Sequence, residues 1–137
     1  MASAPPRLVP LLDDDNREFW TSGESGSLRL PFCTSCDRWI FPPVRHCPTC
    51  RSEAWYRPLS GRGSVFSYTV NHHPFNPEVM VPYVIAIVEL AEQERLRFTT
   101  NVVNCQPEEV TIGLPVRVLF EPQGEIFVPV FEPDPGA

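Results

Sequence analysis

The chain has 137 residues and a formal net charge of −6, a length typical of one compact domain or of a small module joined to a larger one. Hydrophobic residues make up 42% and charged residues 20%, a composition that excludes an intrinsically disordered protein. All 11 basic residues are arginines and they are outnumbered by 17 acids, which argues against a protein whose main role is to bind a phosphate backbone. The 17 prolines exclude long helices.

The N-terminal residues 1–27 are predicted to form an arm and a short helix. No apolar run reaches the about 20 residues that cross a bilayer, so we expect a soluble, cytoplasmic protein without a secretion signal. An aspartate N-cap in the run Asp13–Asp15, with Glu18 three residues after Asp15, predicts a short helix that Gly23 and Gly26 end. Phe19 and Trp20 are too large for so short a helix to cover, so at least one packs on the body of the chain or on a partner.

Four of the five cysteines form the strongest motif in the sequence, in residues 28–58. They are Cys33, Cys36, Cys47 and Cys50, two CxxC pairs separated by ten residues. This spacing lets two turns present four sulfurs to one point, which predicts a structural, tetrahedral metal site with zinc as the expected ion and iron as the alternative. The surrounding residues are short strands with five arginines, which either balance the thiolate charge or contact phosphates or an acidic partner.

The third part of the chain, residues 59–131, carries five alternating β patterns separated by turn signals. They cover residues 65–70, 83–90, 96–103, 116–120 and 127–131. A helical turn at 107–110 lies between the third and fourth strands, the position of the helix in an OB-fold, so we expect a five-stranded barrel of this type. Residues 132–137 are predicted to be a frayed tail.

The remaining reactive side chains lack a catalytic arrangement. His46 adjoins Cys47 but is not needed as a ligand when four thiols are present. Cys105 is interpreted as a small, half-buried residue. His72 and His73 are not accompanied by an acid or a nucleophile at a recognisable spacing, so we predict no catalytic residues and place both histidines in a structural or partner-contacting loop.

Together these motifs resemble a known family over nearly the whole chain: the segments FCTSCDRWIFPPVRHCPTC, SGRGSV, PYVIAIVEL and IGLPV are similar to those of rubredoxin-like zinc-ribbon and OB-fold proteins of unknown function that accompany thiolase-superfamily enzymes. The resemblance implies an acyl-CoA-associated, non-catalytic subunit of a heteromeric complex. Its partner would be a thiolase, a lipid-transfer-protein-type aldolase or hydroxymethylglutaryl-CoA synthase, and some relatives join hydratase subunits of steroid side-chain degradation.

The resemblance also assigns roles to individual residues. The loop at 72–82 joins the first two barrel strands at a rim that OB-folds use for ligands. The predicted partner contacts are Phe19, Trp20, His72, His73, Phe75 and Met80. If CoA binds directly, Arg38 and Arg62 are the predicted contacts to its phosphates. In either case the resemblance implies that the partner, an acyl-CoA enzyme of lipid or steroid metabolism, carries the catalytic residues.

Two other functions are compatible with the same parts. A zinc ribbon followed by an OB-fold could bind single-stranded nucleic acid, but residues outside the ribbon segment 29–57 carry a charge of −9, since −6 minus the segment's +3 gives that value. A rubredoxin-like electron carrier with iron in the cysteine site is the third interpretation.

Overall fold

Two β-sheets follow a short helical segment in the computed structural model, which describes residues 7–136. Helix α1, Arg17–Thr21, runs into a 3₁₀ turn, Ser22–Ser25. The ribbon sheet has the antiparallel order β2-β1-β3, with β1 at Arg29–Cys33, β2 at Arg38–Trp39 and β3 at Trp55–Pro58. The closed barrel has the order β4-β5-β6-β8-β7, with β4 at Arg62–Asn71, β5 at Tyr83–Leu90, β6 at Arg97–Val102, β7 at Pro115–Gln123 and β8 at Ile126–Pro133. The predicted fold class is confirmed.

The helix begins at Arg17, close to the start that the sequence pattern indicated, with Asn16 rather than an aspartate at the N-cap. The side-chain carboxylate of Asp13 accepts hydrogen bonds from the backbone N–H groups of Asp15 and Asn16, at 2.9 and 2.8 Å, and so stabilises a turn ahead of the helix. Gly23 does not end the helical segment, because the 3₁₀ turn continues to Ser25 and stops at Gly26, which has a φ of 76°. A β carbon on Gly23 would overlap the ring of Phe120 and the β carbon of Phe127, so glycine is required where this turn packs on the barrel.

The barrel closes through a short contact between two parallel strands. Strands β4 and β5 pair along most of their length, with a bulge between Val65 and Ser67. Strands β6 and β8 pair at a single position, Val102 with Phe131. The 3₁₀ turn Pro107–Glu109 lies between β6 and β7, as an OB-fold requires.

One hydrophobic core joins the base of the ribbon to the barrel. Phe19, Leu28 and Leu30 are buried in the same cluster as the inward side chains of the barrel strands. Gln93, in the β5–β6 turn, adds two polar contacts: it accepts a hydrogen bond from Trp39 N–H at 2.8 Å and donates one to the Trp39 carbonyl at 3.2 Å. The ribbon base is therefore held against the barrel by both apolar packing and hydrogen bonds.

The C-terminal segment is more ordered than expected. Strand β8 continues to Pro133, and the Glu132 carboxylate accepts hydrogen bonds from Arg117 Nε at 2.8 Å and Asn104 Nδ2 at 2.7 Å. Asp134 forms an ion pair with Arg62 at 3.6 Å. The prediction of a frayed tail from residue 132 is wrong because these side chains pair with neighbouring strands; residue 137 lies outside the described residues.

These contacts predict a pH dependence of stability. The side-chain amide of Asn104 and the guanidinium of Arg117 hold the pKa of Glu132 below its usual value of 4.5. Since the folded pKa is the lower one, the contribution is present above pH 4.5 and is lost as the pH falls through the folded pKa. We expect Glu132→Gln to reduce the free energy of unfolding at pH 7 and to change it less near pH 3. Denaturant unfolding of both proteins across this range, compared at each pH, measures the difference; a constant difference contradicts the prediction.

Candidate metal centre and apolar groove

The four paired cysteines come together at the outer end of the ribbon. Cys33 ends β1 and Cys36 precedes β2. Cys47 and Cys50 lie in the segment that leads to β3. The amide N–H of Cys36 donates a hydrogen bond to the Cys33 sulfur at 3.4 Å, which turns the first loop back on itself.

In both loops, the residue that follows the second cysteine has a left-handed backbone conformation. Asp37 has a φ of 56° and Arg51 a φ of 66°, left-handed values that are uncommon for residues other than glycine. Arg51 N–H also donates a hydrogen bond to the Cys47 carbonyl at 2.8 Å. These turns reverse the chain within each pair, so that both sulfurs of a pair point toward the same centre.

The geometry of the sulfurs fits a tetrahedral metal. All four Sγ atoms lie within 4.8 Å of one another; the Cys33–Cys50 distance is 3.5 Å and the Cys36–Cys47 distance is 3.9 Å. Zinc–sulfur bonds of about 2.3 Å in a tetrahedron place sulfurs about 3.8 Å apart. The site is therefore arranged for a metal ion, and its four protein ligands leave no position for a catalytic water.

Hydrogen bonds around the sulfurs shift the pKa values of two of the thiols in opposite directions. The pKa of Cys50 is lowered to about 6, mainly by hydrogen bonds from the side chain and backbone of Ser52. The pKa of Cys36 is raised to about 12 by its hydrogen bond with Cys50 and by burial. A divalent cation supplies the charge that allows crowded thiols to deprotonate together, so metal binding releases protons.

This end of the ribbon has little hydrophobic core of its own. Its buried cluster consists of Cys33, Ile40, Cys47 and Ala54, two of which are metal-site cysteines. His46 is exposed and forms an isolated bridge with Glu53. Since so few apolar groups are buried here, the metal must supply much of the stability of this region.

Cys105 lies outside the cysteine cluster. It is partly buried and packs against the main core, which agrees with its interpretation as a small structural residue. Burial and the nearby Glu109 carboxylate raise its pKa, so the thiol is poorly suited to act as a nucleophile.

The predicted partner contacts occupy different environments. Phe19 is 2% exposed and packs edge-on against Trp20 and Phe98, so most of its ring is covered by its own chain. It lines the floor of the cavity described below. Trp20 is only partly buried. The loop residues His72, His73, Phe75 and Met80 are all exposed, Met80 at 87%.

Trp20 and Met80 border a cavity of about 780 Å³, here called the apolar groove. Helix α1, the 72–82 loop, strands β6 and β8 and the N-terminal arm form its walls. Its apolar lining includes Trp20, Phe41, Val79, Met80, Phe98 and Val128. A cavity of this size and composition is typical of a site that receives an apolar group from a ligand or from another protein.

The N-terminal arm crosses one side of the groove and is fixed there by Arg7. The guanidinium donates hydrogen bonds to the Glu121 carboxylate at 2.6 Å and to the Asn101 side-chain oxygen at 2.7 Å. Leu8 follows at 99% exposure and Leu11 at 91%. The arm therefore extends the apolar surface of the groove outward.

The two predicted CoA contacts, Arg38 and Arg62, differ in the number of carboxylates that lie near them. Arg38 is exposed on β2 and forms no ion pair with residues 7–136. Arg62 pairs with Asp134 and lines a smaller cavity of about 310 Å³ together with Glu89 and Glu94. Glu89 is itself paired with Arg97 at 2.7 Å, so the carboxylates of Asp134 and Glu94 are the ones that oppose the binding of a phosphate at that position.

Sequence reasoning missed Arg7, the groove as a whole and the exposed Trp55. The hydrophobic arm Leu8–Val9–Pro10–Leu11 was an available signal for an apolar surface. The exposed fraction of Trp55 is 63%, although its sequence context, next to Tyr56 in a strand, does not indicate which ring faces outward.

A rubredoxin-like ribbon joined to an OB-fold barrel defines the structural class, and comparisons with known proteins agree with it. The family description "ChsH2, rubredoxin-like zinc ribbon domain" matches residues 20–55, and "ChsH2, C-terminal OB-fold domain" matches residues 56–121. The chain belongs to this ChsH2-type family of DUF35 proteins, which confirms the resemblance seen in the sequence.

Two relatives with descriptive names are similar in sequence to this chain. A probable enoyl-CoA hydratase alpha subunit of Thermomonospora curvata is 37% identical over 93% of this chain, which spans 40% of that relative. A DUF35 domain-containing scaffold protein of Methanocaldococcus jannaschii is 42% identical over 64% of this chain and 63% of its own length. The chain thus spans less than two thirds of either relative.

A solved structure described as an Ltp2-ChsH2(DUF35) aldolase contains a similar chain. The TM-score is 0.80 at 35% identity, over 91% of this chain and 98% of that one. A DUF35 protein from Sulfolobus solfataricus, with a TM-score of 0.64 at 17% identity, supports the fold alone. Within residues 7–136, no helix has the length and apolar character needed to span a membrane.

Proposed function

We propose that this chain is a non-catalytic subunit that binds and stabilises a thiolase-like acyl-CoA enzyme, an aldolase or a thiolase of steroid side-chain or fatty-acyl metabolism. The likeness to a chain of the Ltp2-ChsH2(DUF35) aldolase supports this function. The relatives named as a DUF35 domain-containing scaffold protein and as a probable enoyl-CoA hydratase alpha subunit also support the role of a subunit in a larger assembly. In this proposal the ribbon and the N-terminal helix dock on the enzyme, whose residues carry out the reaction.

The single observation that carries the proposal is the apolar groove with its exposed rim. Met80 and Leu8 both line it and are 87% and 99% exposed. Large apolar side chains in such numbers on one surface are typical of a protein-binding site. The same groove could admit the acyl group of a CoA ester held by the partner. Of the two arginines proposed to contact its phosphates, Arg38 has no ion pair within residues 7–136, whereas Arg62 pairs with Asp134.

We further propose that zinc occupies the cysteine site. Four sulfurs at tetrahedral spacing suit zinc, and iron would use the same ligands. Cys33, Cys36, Cys47 and Cys50 would hold the ion, which supplies folding stability to the ribbon. Elemental analysis of the purified protein identifies the ion directly. Its visible absorption spectrum gives an independent answer, because an iron–tetrathiolate site is coloured and a zinc site is not.

The groove can be tested with one charged substitution. We expect Met80→Glu to weaken binding to the thiolase-like subunit at least about tenfold, because a carboxylate would be buried in an apolar contact without a partner. The chain is co-expressed with thiolase-like proteins encoded nearby, complexes are isolated by size-exclusion chromatography, and affinity is measured by calorimetry.

The matched control is Ile112→Glu, which places the same charge on an apolar residue that is 72% exposed and does not line the groove. It should bind as the unsubstituted chain does. If the unsubstituted chain elutes alone with every candidate, or turns over acyl-CoA without a partner, the proposed function is wrong.

A further inference from the structure

One face of the ribbon sheet carries a row of aromatic side chains that the groove does not include. Phe32 in β1 pairs with Trp39 in β2 on one side and with Trp55 in β3 on the other. Side chains at directly paired positions lie on the same face of a sheet. Phe32, Trp39 and Trp55 are therefore neighbours on one face, here called the aromatic row.

The fold does not account for the exposure of Trp55. Trp39 is partly buried against the main core and packs edge-on against Phe32, with ring centroids 5.1 Å apart. Trp55 belongs to neither buried cluster and is 63% exposed. A tryptophan offers a large apolar area at a small cost in side-chain entropy, which is why this residue is enriched where proteins bind each other.

Arg57 completes the row with a charge held in a fixed position. Its guanidinium carbon lies 4.3 Å from the centroid of the Phe32 ring, and Arg57 itself is exposed. Stacking limits the conformations of the side chain before any partner arrives, so less entropy is lost on binding. An arginine beside an exposed tryptophan is the composition of a binding hot spot.

The charge around the row favours an acidic partner. Two ribbon arginines are neutralised within the chain, since Arg29 pairs with Glu18 at 2.7 Å and Arg45 with Asp15 at 3.6 Å. Arg57, on the face of the row, has no acidic partner in the described part of the chain, residues 7–136. Arg38 and Arg51 are also without an ion pair there, but Arg38 pairs with Cys33 on the opposite face and Arg51 lies in the loop after Cys50. Arg57 thus presents an unpaired positive charge beside Trp55, in a segment, 29–57, with a formal charge of +3, while the rest of the chain carries −9.

The metal site and the row lie on opposite faces of the same strand. Cys33 follows Phe32 directly in β1, and successive side chains of a strand point to opposite sides. The cysteine site therefore holds the β1–β2 turn from the opposite face of the sheet and does not cover the aromatic row.

We infer that Trp55 and Arg57 form the centre of a protein-binding surface that recognises an acidic patch on the thiolase-like subunit; this inference rests on the proposed function. The nucleic-acid interpretation is less favoured at this surface. Arg57 already covers a face of the Phe32 ring and Trp39 meets its edge, so Trp55 alone offers an open ring for base stacking, which ordinarily uses successive aromatics.

The test measures binding of the co-purified thiolase-like subunit by calorimetry at low and high NaCl. Trp55→Ala and Arg57→Glu should each weaken binding about tenfold or more. High salt should weaken the unsubstituted complex more than the Arg57→Glu complex. Arg57→Lys, which keeps the charge and loses the planar stack, should give an intermediate affinity.

Controls separate this surface from general instability and from the proposed function. Ile112→Ala removes an exposed apolar side chain elsewhere and should bind normally; all variants should retain one metal per chain. Affinities within twofold of the unsubstituted chain for both Trp55→Ala and Arg57→Glu overturn this inference while the proposed function stands. No binding by the unsubstituted chain overturns both, and tight, Trp55-dependent binding of an oligothymidine instead of the subunit assigns the surface to nucleic acid.

Discussion

Removing the metal should unfold residues 33–54 while the barrel stays folded. The outer ribbon buries a cluster of four residues, two of them cysteines of the metal site, whereas the barrel strands contribute to a separate and larger core. Metal binding supplies about 10 kcal/mol or more to small thiolate sites, which exceeds what so few apolar side chains provide. Loss of the ion therefore removes the main stabilising interaction of this region.

Hydrogen exchange followed by mass spectrometry measures this effect residue range by residue range. Cys47→Ser should abolish amide protection in 33–54 and leave protection in β5 unchanged, and a chelator should reproduce the result in the unsubstituted chain. Cys105→Ser is the matched control, because this thiol lies outside the metal cluster. Retained protection in Cys47→Ser, or natively produced protein without a transition metal, contradicts the structural role of the site.

Phe131→Ala should destabilise the barrel by about 3 to 5 kcal/mol, the usual cost of deleting a buried phenylalanine ring. The side chain is 0% exposed, and its residue forms the β6–β8 pair with Val102 that closes the barrel. Its ring centroid lies 5.6 Å from that of Phe98. The substitution leaves a cavity at the position where the barrel has the fewest strand contacts.

Denaturant unfolding of the metal-bound protein, followed by far-ultraviolet circular dichroism, gives this free energy. Phe75→Ala serves as the control, since the same group is deleted from a side chain that is 76% exposed. That variant should change stability by less than about 0.5 kcal/mol. Similar losses in the two variants would mean that Phe131 does not stabilise the barrel through burial.

The parts of the structure that depend on local spacing were predictable from the sequence. The CxxC pairs identify the metal ligands because two residues between thiols define a tight turn. The five barrel strands follow from alternation of apolar residues, and the position of the 3₁₀ turn gives the OB-fold order. These signals lie within short segments, so no knowledge of distant contacts is needed.

Features that depend on distant contacts were not predictable in this way. Arg7 binds side chains 94 and 114 positions away in the chain, and no periodic pattern records such a contact. Helix α1 has five residues, too few for an apolar face to show whether Phe19 or Trp20 points inward. The ordered segment after residue 131 depends on Arg117 and Asn104, which only the completed barrel brings beside Glu132.

The two hydrogen bonds of Gln93 have a consequence for how the protein behaves at high concentration. Strand β2 lies at one margin of its sheet, where unsatisfied main-chain groups would invite a strand from a neighbouring molecule. One carboxamide satisfies both the donor and the acceptor of Trp39. A single side chain thereby blocks intermolecular sheet extension at this margin and protects the molecule from aggregation by that route.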